Sequence, residues 1–151
     1  MTLVSPLTGM SVGERVQAFV ASYAAAFEAL DVDRIADHFT FPLHVAGEGR
    51  DVTVTAVATR DQWTGVLEGL VRRYTELRFR TARALDVATL PVSDRVAATS
   101  VRWQLVGADG PLYEFTAIYM LVAMRDGYRI CAIAHDEIAR SRALARSEER
   151  N

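Results

Sequence analysis

The sequence predicts an α+β fold in which three helices pack against one strongly curved, mainly antiparallel sheet. Two segments with helical periodicity follow capping-box patterns, and four long strand-like segments are joined by short turns. The predicted order is α-α-β-β-α-β-β-β-β with a C-terminal helical tail, which is an α+β arrangement. Because strands of this length must twist and curl, helices on the concave face would leave a cone with an open end.

The helical segments are defined by their caps and their apolar faces. Ser11 and Glu14 have the spacing of a capping box, and Asp31 is expected to cap a short second helix. Thr59 and Gln62 repeat the capping box before a third helix. The apolar face of the first helix comprises Val12, Val16, Phe19, Tyr23, Phe27 and Leu30, and that of the third comprises Trp63, Val66, Leu67, Leu70, Val71 and Tyr74.

The strands are defined by alternating apolar residues and by turn residues. A first hairpin is predicted from residues 40–46 and 51–57, in which Pro42 places the first strand at an edge or a bend. Four longer segments with short turns between them then predict an antiparallel meander. These strands are expected at residues 77–90, 95–106, 112–124 and 128–136. In the first of them, one face is expected to hold Leu77, Phe79, Leu85 and Val87.

Composition limits the chemistry that the chain can perform. All 17 basic residues are arginine, which excludes Schiff-base and P-loop chemistry because both need a lysine amine. A formal net charge of −2 without a basic stripe argues against a nucleic-acid partner. The single Cys131 excludes an internal disulfide. His38, His44 and His135 are scattered without metal-binding spacing, so neither a metal nor a cofactor is expected.

The length of the chain, 151 residues, suits one domain. We expect an N-terminal extension at residues 1–10, the main domain at 11–137 and a polar tail helix at 138–151. No stretch approaches ~18 consecutive apolar residues, so no membrane span is expected. The first residues lack the basic region and apolar run of a signal peptide, which favours a cytoplasmic location.

Three segments resemble the NTF2-like superfamily, which includes ketosteroid isomerases and SnoaL-like polyketide cyclases. Residues 16–39, with the core Tyr-Ala-Ala-Ala-Phe-Glu-Ala-Leu-Asp-Val-Asp-Arg-Ile, resemble its opening helices. Residues 39–42, Phe-Thr-Phe-Pro, resemble its first strand, and residues 117–136 resemble its last hairpin. The resemblance covers roughly residues 11–137 and implies a cone-shaped domain with a hydrophobic pocket that binds a small molecule.

The resemblance also suggests site residues. Tyr23 falls where the isomerases have a tyrosine that donates a hydrogen bond to the substrate oxygen, although it could equally be a core tyrosine. Tyr119 falls at or near a strand acid that donates a second bond. The general base of the isomerases is an Asp before a Pro, where this chain has Phe41 before Pro42. Since phenylalanine carries no proton, steroid isomerisation by that mechanism is not expected.

Two histidines are candidate proton carriers, because imidazole titrates near neutral pH. His44 lies on the first strand near the missing base, although strand alternation places it opposite Phe41. His135 precedes Asp136 and Glu137, a group typical of an acid–base site, of a metal cluster or of a solvated strand end. Alternation allows only one of His135 and Asp136 to face a pocket.

A pocket in the cone would be lined by inward-facing apolar and aromatic side chains. The residues expected to contact a ligand are Phe19, Phe27, Phe41, Trp63, Leu67, Trp103 and Phe115. Two functions fit such a pocket. One is an isomerase, cyclase or lyase acting on an apolar carbonyl compound, with Tyr23 and Tyr119 as an oxyanion hole. The other is a ligand-binding protein without catalysis.

A third hypothesis is assembly through the open face of the sheet. With Tyr119 turned inward, an apolar row is predicted on the opposite face of the same strand. The row consists of Ile118, Met120, Val122 and Met124. An exposed apolar row usually marks a partner surface, so a homodimer is expected. On the neighbouring strand, Arg102 is expected to form an ion pair with Glu114 rather than to bind a ligand.

Overall fold

The computed structural model describes residues 9–149 and contains four helices and six strands in that range. The helices are α1 (Val12–Glu28), α2 (Val32–Ala36), α3 (Arg60–Glu76) and α4 (Glu137–Glu149). The strands are β1 (Phe39–Glu48), β2 (Val52–Val57), β3 (Phe79–Pro91), β4 (Val96–Gly107), β5 (Gly110–Met124) and β6 (Gly127–His135). This is the predicted α+β order. The predicted N-terminal extension lies outside the described residues except for Gly9 and Met10.

The helix starts are capped as the sequence predicted. The Ser11 hydroxyl accepts a hydrogen bond from the Glu14 backbone N–H at 3.1 Å, and the Glu14 carboxylate accepts one from the Ser11 backbone N–H. Asp31 accepts from a backbone N–H at the start of α2, and Thr59 does so at the start of α3. Each cap satisfies a donor that the helix itself leaves free, so these residues fix where the helices begin.

The six strands form one sheet in the order β2-β1-β6-β5-β4-β3. Strands β3 to β6 are the predicted antiparallel meander, and β1 and β2 are the predicted hairpin. The hairpin joins the meander through a parallel pairing of β1 with β6, whose register shifts between Phe39 and His44, around Pro42. This pairing places Gly47 of β1 beside His135 at the end of β6.

Helix α4 packs against β1 immediately after β6 ends. A Cβ atom built on Gly49 would lie 2.7 Å from Cγ2 of Ile138, so the glycine allows the helix to approach the strand. Gly47 likewise lies against Ile138 and the His135 imidazole. The first turn of the tail helix is therefore held beside the open end of the cone.

The hydrophobic core lies between α1, α3 and the concave face of the sheet. Strand alternation places Val101, Trp103 and Leu105 of β4 inward, all at most 3 % exposed. The outward side chains of β4 and β5 include Arg102 and Glu114, whose predicted ion pair is confirmed at 2.8 Å. None of the helices within residues 9–149 is long and apolar enough to cross a membrane.

One prediction for β3 is wrong. Leu85 was expected on the same face as Phe79 and Val87, but it is 44 % exposed whereas Phe79 is 5 % exposed. The pairing of β3 with β4 shifts register between Ala84 and Asp86. An extra residue at such a bulge breaks the alternation, so Leu85 points away from the core.

Candidate active site

A cavity of about 80 Å³ lies in the cone between α1, α3 and the sheet, and we refer to it as the inner chamber. Its lining is mostly apolar and aromatic. It is formed by Tyr23, Ala24, Phe27, Trp63, Leu67, Leu70, Tyr74, Ala82, Trp103, Leu105, Phe115, Ala117, Tyr119, Ile133, His135 and Glu137. The cone is therefore not filled completely by side chains.

A second cavity of about 390 Å³, the outer chamber, adjoins the first under α4. Trp63, Leu70, His135 and Glu137 line both chambers. The outer chamber is completed by residues of β1, β2, α3 and α4, among them Arg73. Taken together, the two chambers fall within the roughly 300–1,000 Å³ typical of small-molecule pockets.

One wall of the inner chamber carries a tyrosine pair held by a tryptophan. Nε1–H of Trp103 donates a hydrogen bond to the Tyr119 hydroxyl at 2.9 Å. Because an indole N–H can only donate, the Tyr119 oxygen is the acceptor and its own proton remains available. The Tyr23 ring packs edge-on against Tyr119, with ring centroids 5.5 Å apart. Burial raises the pKa of both tyrosines, so both are neutral at physiological pH. A hydrogen bond that Tyr23 donates to Tyr119 raises the pKa of Tyr23 further, which leaves the Tyr119 proton as the one free to reach a ligand.

Glu137, the first residue of α4, faces the same chamber. The residue as a whole is partly buried, but its carboxylate points inward. Its Oε2 atom accepts hydrogen bonds from the hydroxyls of Tyr74 and Tyr113, the latter at 2.9 Å. Burial raises the pKa of Glu137 above its ordinary value, the two tyrosine hydrogen bonds oppose that rise, and the charge of Asp136 adds to it. A carboxylate with a raised pKa in an apolar cavity is a strong candidate for acid–base chemistry.

His135 lies between the two chambers in a defined tautomeric state. Its Nδ1 atom accepts a hydrogen bond from the Glu137 backbone N–H at 3.2 Å. The pKa of His135 is lowered by burial, with a partial opposing effect from Asp136. The ring is therefore neutral near pH 7 and carries its proton on Nε2. Asp136 faces the other way, where it accepts from the Thr116 backbone N–H at 2.8 Å.

The structure brings together most of the residues that the sequence nominated. Tyr23, Tyr119 and His135 line the inner chamber. So do five of the expected ligand contacts, namely Phe27, Trp63, Leu67, Trp103 and Phe115.

Three nominated residues do not reach the chambers. His44 is exposed on the outer side of β1, because Leu43 takes the inward position and is fully buried. Phe41 packs against the core without lining either cavity. Phe19 lies behind Tyr23, with ring centroids 6.2 Å apart, and also contacts His38. His44 is therefore not part of the site that we describe.

The sequence analysis did not select the central carboxylate. Glu137 was considered only as a neighbour of His135 at a strand end, and Tyr74 only as part of the apolar face of the third helix. The sequence did contain a signal for Glu137, namely the run His-Asp-Glu at the end of the last strand. Three tyrosines that line the inner chamber, Tyr23, Tyr74 and Tyr119, also lay on predicted inward faces. Within residues 9–149, no three His, Cys, Asp or Glu side chains are grouped so that they could hold a metal ion.

The buried carboxylate predicts how stability depends on pH. Because the pKa of Glu137 in the folded protein lies above its value of 4.5 in an exposed chain, folding favours the protonated form. Its contribution to stability is complete below pH 4.5 and is lost as pH rises through the raised pKa. The melting temperature of Glu137→Gln relative to the wild type should therefore increase from pH 4.5 towards pH 8. If thermal melts show the same difference in melting temperature between the two proteins at every pH, the pKa shift assigned to Glu137 is wrong.

A cone with its cavity between helices and the concave face of a mainly antiparallel sheet defines an NTF2-like protein. A family model described as "NTF2-like protein (DUF6841)" matches residues 13–138, so the chain belongs to this family. A search of curated proteins returned no match.

Solved structures share the fold at low identity. Aln2 from a Streptomyces species is 14 % identical with a TM-score of 0.68, covering 97 % of this chain and 99 % of that chain. An NTF2-like protein of unknown function from Shewanella oneidensis is 12 % identical with a TM-score of 0.65, covering 83 % and 99 %. An NTF2-like protein with a cystatin-like fold from Novosphingobium aromaticivorans is 14 % identical with a TM-score of 0.65, covering 87 % of each chain. At these identities the similarity shows the fold alone.

Proposed function

We propose that this protein is an enzyme of the isomerase, cyclase or lyase type that moves a proton beside the carbonyl group of a small, largely apolar molecule. The observation that carries the proposal is the Glu137 carboxylate, which faces an apolar chamber and has a pKa raised by burial. A general base works best when its pKa lies near the working pH. Glu137 would supply the proton acceptor that the resemblance leaves missing at Phe41.

The proposed step is proton abstraction from the carbon next to the ligand carbonyl. The Glu137 carboxylate takes the proton, the C–H electron pair forms a carbon–carbon double bond, and the carbonyl oxygen takes the negative charge. The products of the step are an enolate and a neutral Glu137. In a ligand with a further carbon–carbon double bond next to the reacting carbon, the enolate extends to a second carbon, and return of the proton there isomerises the ligand. Exchange at the original carbon occurs when the Glu137 carboxyl proton is replaced by one from solvent before it is returned.

The tyrosine pair is suited to stabilise the enolate oxygen. Since Tyr119 accepts from Trp103, its O–H is free to donate to a ligand oxygen. A neutral phenol held in place by the protein needs little reorganisation as charge develops on the ligand, which is how an oxyanion hole works. Tyr23 lies beside it and is 7 % exposed.

The proposal is tested by hydrogen–deuterium exchange at carbon. Aryl alkyl ketones, including the methyl ester of 4-oxo-4-phenylbutanoic acid, are incubated with the protein in D₂O and the signals of the protons next to the ketone are followed by NMR. The expected result is exchange that is proportional to protein concentration and saturates with ketone. Saturable binding without faster exchange across the panel would favour the non-catalytic ligand-binding function instead.

We also propose a homodimer formed through the outer face of the sheet. On β5, Ile118, Met120 and Met124 are 48 %, 37 % and 49 % exposed. Their neighbours across β4 and β6 are small, since Ile118 pairs with Ser100 and Ala134, and Met120 with Ala98 and Ala132. An exposed apolar patch of this kind favours packing against a second copy.

Light scattering after size-exclusion chromatography measures the oligomeric state directly. The wild type should have twice the chain mass of 16.7 kDa, and Met120→Glu should be monomeric because it places a charge in the patch. Val54→Glu is the matched control, since Val54 is 76 % exposed on the edge strand β2, outside the patch. A monomeric wild type would rule out this interface.

A further inference from the structure

Arg73 is a cation in the wall of the outer chamber. It lies in the last turn of α3, is partly buried, and lines that chamber with Tyr113 and Ser141. Its positive charge reaches Tyr113 in the chamber wall. That charge lowers the pKa of Tyr113, although burial raises the same pKa by more. Among the described residues that line the two chambers, Arg73 is the one guanidinium.

No carboxylate neutralises this guanidinium within residues 9–149. Ion pairs in that range involve Arg60, Arg78, Arg102, Arg129 and Arg140, whereas no acidic oxygen lies within 4.0 Å of Arg73. A partly buried guanidinium without a partner retains five N–H donors arranged to bind a planar anion with two hydrogen bonds. Arg73 is therefore an anion-binding group placed beside the candidate active site.

A second donor without a partner lies on the same helix as Arg73. Trp63 is 8 % exposed and lines both chambers, and its indole Nε1–H has no acceptor among the described residues. Trp63 is ten positions before Arg73 on α3, so the two residues are about 15 Å apart along the helix axis. Two free donors spaced in this way along one pocket wall fit an elongated ligand with more than one acceptor.

We propose that the ligand is an oxo acid whose apolar carbonyl end occupies the inner chamber and whose carboxylate is bound by Arg73 in the outer chamber. The position of the carbonyl rests on the proposed function. Glu137 lines both chambers, so it lies between the two ends of such a ligand, where the carbon to be deprotonated would be. A carboxylate is favoured over a phosphate because one guanidinium matches its single charge and planar shape.

The binding test uses 4-oxo-4-phenylbutanoate and its methyl ester as a matched pair of probes. Both tryptophans of the chain line the inner chamber, so intrinsic fluorescence reports occupancy without a label. The wild type should bind the acid about 10- to 100-fold more tightly than the ester, as expected for a hydrogen bond to a charged group. Inorganic phosphate, added as a competitor, should not displace the acid at comparable concentrations.

Arg73→Gln should remove that preference. Its affinity for the acid should be about 10- to 100-fold lower than that of the wild type, and its affinity for the ester should stay within about twofold. Arg73→Lys keeps the charge without the two-pronged geometry and should give an intermediate affinity. Arg72→Gln is the matched control, because Arg72 is the exposed neighbour on the same helix. Circular dichroism confirms that each variant is folded.

Equal affinity of the wild type for acid and ester, binding of neither probe, or equal effects of the Arg72 and Arg73 substitutions would each overturn the proposal. Displacement of the acid by phosphate at comparable concentrations would overturn the choice of a carboxylate. Failure of the proposed function is distinguishable from these outcomes. In that case the acid would still bind in an Arg73-dependent manner, but neither probe would exchange its hydrogens faster in the presence of the protein.

Discussion

Replacing Glu137 with glutamine is expected to lower the rate of carbon–hydrogen exchange about 10²- to 10⁴-fold, the range for loss of a general acid or base. Glutamine has nearly the same shape and can still accept hydrogen bonds from Tyr74 and Tyr113, so the cavity should be preserved. It cannot take a proton. Ligand affinity, measured by tryptophan fluorescence, should therefore change little while the exchange rate measured by NMR falls.

The matched control for this change is Glu148→Gln, on the exposed part of the same helix. It should exchange at the wild-type rate. The wild-type rate should also rise with pH through the raised pKa of Glu137, because the base must be ionised to act. Full exchange activity in Glu137→Gln would remove Glu137 from the mechanism, and a rate independent of pH would do the same.

Tyr119→Phe is expected to lower the exchange rate about 10²- to 10³-fold, the cost of removing one oxyanion donor. The change deletes the hydroxyl that Trp103 holds in place and leaves the ring, which is 4 % exposed, in the core. The variant should remain folded, because the deletion leaves one buried indole donor unsatisfied at a cost of about 1–3 kcal/mol. The loss should appear in kcat rather than KM, since the enolate oxygen develops its charge only during the reaction.

Phe27→Leu provides a comparison for Tyr119→Phe, since Phe27 lines the same chamber with an apolar ring and donates no hydrogen bond. It should alter ligand affinity more than the exchange rate of the bound ligand. If Tyr119→Phe changes KM alone, Tyr119 is a binding residue and the oxyanion role assigned to it is wrong.

The fold could be predicted from the sequence because its signals are local. Ser11, Asp31 and Thr59 cap the helices where their spacing indicated, and short turns between long strands determine an antiparallel meander. The parallel pairing of β1 with β6 joins segments far apart in the chain. No local pattern encodes such a contact, so the closure of the cone at His135 and Gly47 appears only in three dimensions.

The site was predicted in part, and the errors have physical reasons. The resemblance to the isomerases nominated Tyr23 and Tyr119, and both line the inner chamber. Glu137 was not selected, because it is the first residue of a polar helix, where a carboxylate is usually solvated. Its burial depends on Tyr74 from α3 and Tyr113 from β5, two residues that only the folded chain brings together. Leu85 was misplaced because a bulge interrupts the alternation of β3.

The proposed reactive carboxylate belongs to α4, a helix in which no residue is fully buried. Its first turn is constrained by Ile138, which packs against Gly47 and Gly49, and by the two tyrosines that bind Glu137. A change of the residue at position 137 would therefore replace the proposed catalytic group while leaving every strand of the cone unchanged. For protein engineering, it also means that a fragment ending at His135 would keep every strand of the sheet and lose the group on which catalysis is proposed to depend.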